Sequence, residues 1–132
     1  MKLKLFNANN LPSIRVGKPY IRMNSKTGLV AINSKASEIL GIGYSDMVHF
    51  FQNEEEEEEG DWFIEKVQKD GFALRYKENQ GHVHVFNSTQ LVRLIFQSVG
   101  YEGIKGQILI GEPVKNGKHT MFTLITAGLR NE

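Results

Sequence analysis

The first 37 positions hold seven basic residues, Lys2, Lys4, Arg15, Lys18, Arg22, Lys26 and Lys35, and no acid. This segment carries +7 and the remainder −6, so the formal net charge of +1 over 132 residues hides a strong asymmetry. Lysines and arginines strung along one stretch sit well on phosphates: they release condensed counterions and give affinity without reading sequence. Arg15, Lys18, Arg22, Lys26 and Lys35 are therefore candidate phosphate ligands, with Tyr20, Asn24 and Asn33 interleaved as stacking or hydrogen-bonding groups. The plainer reading is a solvated strand face balanced by acids elsewhere in the fold. No base-reading helix accompanies the basic stretch, so the pattern points to DNA without choosing single or double strand.

Six glutamates at 54–59 hold a large part of the opposite charge. They lie between Phe50-Phe51 and Trp62-Phe63-Ile64 without apolar periodicity, which predicts a solvated hairpin tip. A calcium loop needs ordered oxygen ligands around an internal turn residue, and Gly60 stands only at the end of the run. The alternative function class follows from the same charges. The basic segment of one copy meets the acidic run of another, giving a homo-oligomeric assembly protein.

Catalytic chemistry finds little support. Gly41-Ile42-Gly43 and Gly100 to Gly106 lack the spacing and the Lys-Ser/Thr of a phosphate loop. With no cysteine, thiolate metal sites and catalytic thiols are excluded. His82 and His84 share one face of a strand, but a third ligand within reach is missing, so no metal site is expected. No serine stands in a Gly-x-Ser-x-Gly setting, and Asp61 and Glu65 are expected to be solvated. The expectation is a non-enzymatic protein with no cofactor and no metal.

Period-2 alternation and turn residues predict strands at 20–23, 28–32, 47–52, 62–67, 72–77, 83–86, 107–110 and 121–126. Ser34 is expected to cap a short helix through Leu40 that Gly41 ends. Ser88 opens a longer helix over 89–99, with Leu91, Leu94, Ile95 and Val99 on one face and Gly100 as the stop. Both helices follow a strand that runs into Asn-Ser, at Asn33-Ser34 and Asn87-Ser88, 54 residues apart. The unit strand, helix, strand, turn, strand thus occurs twice, at 20–67 and 72–127.

The fold class expected is α+β and β-rich, with two tandem strand-helix-strand-strand units forming a pseudo-twofold sheet or barrel with two helices, in one compact domain over 1–132. Its expected core is Leu29 or Val30, Ile32, Ile39, Leu40, Ile42, Val48, Phe50, Phe63, Val85, Leu91, Ile95, Val99, Ile108 and Ile110, with Trp62 as a plug. No apolar run approaches the roughly 20 residues that span a bilayer, and the start is too polar for a signal-peptide core. No membrane partner and a cytoplasmic location are expected.

The residues 22–51 carry a resemblance. They read Arg22-Met-Asn-Ser-Lys-Thr-Gly28-Leu-Val-Ala-Ile32, a short helix ending Leu40-Gly41-Ile42, then Asp46 and Val48 before an apolar strand. This resembles the swapped-hairpin DNA-binding domain of AbrB/MazE-type regulators and antitoxins, and aligns without a gap. The resemblance implies a DNA-binding fold. Asn33 stands where that family usually has proline, Ser37 and Glu38 where it often has arginines that hold DNA, and Leu29 where a basic residue is frequent. A looser resemblance, to Whirly-type single-stranded-DNA-binding proteins, rests on 62–96, three strands followed by the Asn87-Ser88 helix.

Overall fold

The computed structural model describes residues 2–3, 18–43, 45–55, 61–77 and 83–129. Among these described residues, nine strands and two α-helices follow in the order β1 (Tyr20–Asn24), β2 (Leu29–Ile32), α1 (Ser34–Leu40), β3 (Met47–Gln52), β4 (Trp62–Val67), β5 (Phe72–Ala73), β6 (Arg75–Lys77), β7 (Val83–Asn87), α2 (Thr89–Ser98), β8 (Lys105–Asn116) and β9 (His119–Ile125). A 3-10 turn follows at Thr126–Gly128. The β-rich class with two helices is the one the sequence predicts.

All strands belong to one antiparallel sheet in the order β5-β3-β4-β9-β8-β1-β2-β7-β6. Its two edge strands, β5 and β6, are consecutive in the chain and separated only by Leu74. The sheet therefore returns on itself as a nearly closed barrel, and the stretch predicted as one strand at 72–77 is the seam. Such closure leaves little open edge for unwanted strand pairing.

Alternation along the strands fills the interior. Ile21 and Met23 from β1, Val30 and Ile32 from β2, Val48 from β3, Trp62 and Ile64 from β4, Phe86 from β7 and Ile108 and Ile110 from β8 form the main core. Both helices add to it, through Ala36 and Leu40 of α1 and Leu91, Val92, Ile95 and Phe96 of α2. Trp62 is buried as expected, and its indole N–H donates to Ser98 Oγ at 2.7 Å, joining β4 to α2. A smaller cluster of Ala31, Val83 and Val85, with Leu29 against it, lies on the opposite face of β2 and β7.

Several expectations need correction. Ile39 is 39% and Leu94 53% exposed: the buried stripe of α2 runs through Val92 and Phe96, adjacent to Leu91 and Ile95, rather than through Leu94. Phe63 and Val99 are only half-buried, and Val85 belongs to the smaller cluster. Asn33, not Ser34, caps α1, its Oδ1 accepting from Ala36 N at 2.9 Å, while α2 has the expected Ser88 cap and ends at Ser98. β8 runs twelve residues, well past the expected Ile110. The register shift between Ile110 and Pro113 absorbs the proline, which has no N–H for the ladder.

Candidate functional site

The turn after β1 is built by Asn24, whose Oδ1 accepts from Lys26 N at 2.8 Å and Thr27 N at 3.1 Å. It closes at Gly28, which has φ +78°, and an added Cβ there would lie 2.5 Å from Thr89 N at the start of α2. A side chain is thus excluded both by the left-handed backbone and by the helix end. With Ile21 and Met23 in the core, Tyr20, Arg22 and Asn24 point to the other face of β1. Arg22 is exposed, while Tyr20 and Asn24 are half-buried.

Register supplies their neighbours. On β8, Lys105 pairs with Asn24, Gln107 with Arg22 and Leu109 with Tyr20. On the other side Arg22 pairs with Ala31. Arg22, Asn24, Leu29 and Lys105, with Met23 and Gly106, line a depression of about 280 Å³. Two strands further, exposed Arg75 on β6 faces Val85, its guanidinium donating to Asn87 Oδ1. Arg22, Lys26, Lys105 and Arg75 thus lie on one side of the barrel. No Asp or Glu occupies β1, β2, β6, β7 or residues 105–109.

The expected phosphate ligands divide. Arg22 and Lys26 fall on this face or its bordering turn, and exposed Lys18 leads into β1. Lys35 is half-buried in the first turn of α1, which packs towards β7 and β1 through the main core, so it is not part of the β1 row. Arg15 lies outside the described residues, as do residues 56–60 and His82. Asn24 holds its own turn. Asn33 is likewise engaged: its Oδ1 also accepts from Tyr20 N at 3.1 Å, and its Nδ2 donates to Lys18 O at 2.8 Å. Lys105 and Arg75 escaped the sequence reading because strand pairing, not chain proximity, brings them to Arg22.

The opposite side of the barrel is different. β3 and β4 form the expected hairpin around the acidic run, with Asn53 N donating to Asp61 O at 2.9 Å and Glu54 and Glu55 exposed. His49, Phe51 and Phe63 share the outward face with His119, whose ring lies 5.5 Å from that of Phe51. Glu65 is buried here rather than solvated, because its oxygens accept from His119 Nδ1 at 2.9 Å and Thr120 N at 3.1 Å.

A third feature lies at the seam. A cleft of about 680 Å³ is lined by Ser34, Ser37 and Glu38 of α1, by Ile42, Gly43, Ser45 and Asp46 of the following loop, and by Leu74, Tyr76 and His84. Buried Ser37 and His84 meet there, Oγ to Nδ1 at 2.9 Å. His84 therefore turns inward and is hydrogen-bonded to α1. Among the described residues no group of three or more His, Asp or Glu could hold a metal ion. None of their helices is long and apolar enough to cross a membrane.

No family model, curated protein or solved structure matches this chain.

Proposed function

We propose that the protein binds nucleic acid, DNA in the first instance, through the side of the barrel formed by β1, β2 and residues 105–109, with Arg22, Lys26 and Lys105 on phosphates and Tyr20 as an aromatic neighbour. The single observation that supports it best is the cross-strand placement of Arg22, Asn24 and Lys105 around one depression. Arginine offers a planar multi-donor group to phosphate, and lysine a point charge. The AbrB/MazE-type resemblance is part of the same proposal, since its 22–51 stretch runs from within β1 through β2 and α1 into β3. The chain has no catalytic part in this reading.

The same proposal takes the two tandem units as related by a pseudo-twofold axis. Its support is the strand order. With β5 and β6 counted as one interrupted strand, exchanging β1 with β5/β6, β2 with β7, β3 with β8 and β4 with β9 turns every neighbouring pair into a neighbouring pair. The exposed glutamates at the β3–β4 hairpin favour a second reading, in which that loop of one copy docks on the basic side of another.

Two measurements separate the two readings. Chemical-shift mapping of the isotope-labelled protein with a short oligonucleotide at low salt is expected to perturb β1, β2 and residues 105–109 and to leave β3 and β4 unchanged. Perturbation of neither region by either single- or double-stranded oligonucleotide contradicts DNA binding. A sedimentation shift with protein concentration, abolished by deleting the glutamates at 54–59, would support the assembly.

A further inference from the structure

We propose that the seam cleft between α1, the loop after it and β6–β7 is a binding site for a small organic cation, an amine or guanidinium compound. This site is independent of the basic face. Its size, about 680 Å³, falls in the range of small-molecule pockets.

The Ser37–His84 pair is the first reason. Both residues are buried and bonded to each other, and replacing both partners of such a pair by apolar groups of the same shape is often nearly neutral or stabilising. The fold does not require polarity there. Taking the 54-residue spacing of Asn33-Ser34 and Asn87-Ser88, His84 corresponds to Val30 and Ser37 to Leu91, both of them apolar core residues. Resting on the proposed relation of the two units, the corresponding positions are aliphatic in one unit and an imidazole and a hydroxyl at the wall of a cleft in the other. Departures of this kind from local consistency concentrate at functional sites.

Backbone strain in the same wall is the second reason. Ser45 has φ +72°, a left-handed conformation that non-glycine residues rarely adopt and that recurs at ligand sites. Next to it, Asp46 Oδ2 accepts from Gly43 N at 2.7 Å, which fixes the carboxylate of a residue lining the cleft.

Charge selects the ligand class. The described lining residues include two carboxylates, Glu38 and Asp46, and no lysine or arginine. Tyr76 contributes an aromatic ring, 5.1 Å from that of His84, which can receive a cation on its face. Ser34, Ser37 and Ser45 supply hydroxyls, and Ile42 and Leu74 supply apolar surface for a short alkyl chain. An anion would face the two carboxylates and is rejected.

Calorimetric titration of the full chain with agmatine, putrescine and arginine amide, with glutarate as the anionic control, tests the proposal. At least one amine is expected to bind saturably with Kd at or below about 1 mM, and glutarate not to bind. Glu38→Gln and Asp46→Asn are each expected to weaken the amine about 10-fold or more. The double variant Ser37→Ala with His84→Val is expected to keep its melting temperature and lose binding. Saturation by none of the amines, equal binding of glutarate, or undiminished binding in the carboxamide variants would overturn the proposal. So would unfolding of the double variant, which would make the polar pair a structural requirement.

Discussion

Asn33 shows how one side chain serves several elements at once. Its carbonyl oxygen caps α1 and accepts from Tyr20 N, while its amide N–H donates to Lys18 O, so the helix start and the entry to β1 are held by a single residue. Asn33→Ala is expected to cost about 1–2 kcal/mol, the usual loss for an N-cap, with the further bonds pushing it to the upper end. Urea unfolding measures it, and an unchanged midpoint would contradict the triple role. Sequence alone indicates a polar residue before a helix at this point but assigns the cap to Ser34, because Tyr20 and Lys18 become neighbours only through strand pairing. Glu65 misled for the same reason: its partners, His119 and Thr120, come from the far end of the chain. Arg22 and Lys105 are exposed. Charge reversal at both is therefore expected to leave stability within about 0.5 kcal/mol while lowering DNA affinity at least 10-fold.

At the scale of elements, the β1–β2 turn and the N-terminus of α2 constrain each other. Gly28 accepts from Ser88 N through its carbonyl at 2.8 Å and leaves no room for a Cβ against Thr89. Gly28→Ala is expected to destabilise by more than about 1 kcal/mol, combining left-handed strain with displacement of the α2 end. A thermal melt equal to wild type would show that the turn yields instead. The strands themselves were largely legible, since alternation around Ile21, Met23, Val48 and Ile64 carries its own signal. The length of β8 and the face of α2 were not. A bulge hides strand continuation behind a proline, and apolar residues on both sides of a helix leave the buried side to be decided by tertiary contacts.

For the whole molecule, the pairings β1–β8, β2–β7, β3–β5 and β4–β9 bind residues 20–67 and 72–127 into one sheet, and the adjacent β5 and β6 bring its edges together at Leu74. Segments of about 50–60 residues bury little apolar surface alone. Separately produced fragments 1–70 and 71–132 are expected to lack the cooperative unfolding of the intact chain and to regain strand circular dichroism on mixing; independent cooperative folding of each would contradict the shared core. The charge asymmetry of the chain was plain in the sequence, but not the gathering of Arg22, Lys26, Lys105 and Arg75 on one side of the barrel, which depends on strand order. That gathering underlies the central claim of a phosphate-binding face. Its most direct test is fluorescence anisotropy of labelled single- and double-stranded oligonucleotides at about 50 and 200 mM salt. Three phosphate contacts, by Arg22, Lys26 and Lys105, predict binding at low salt that weakens about 40-fold over this range on duplex, with a smaller loss on single strands. Absence of binding at 50 mM salt, or an affinity indifferent to salt, would contradict the account.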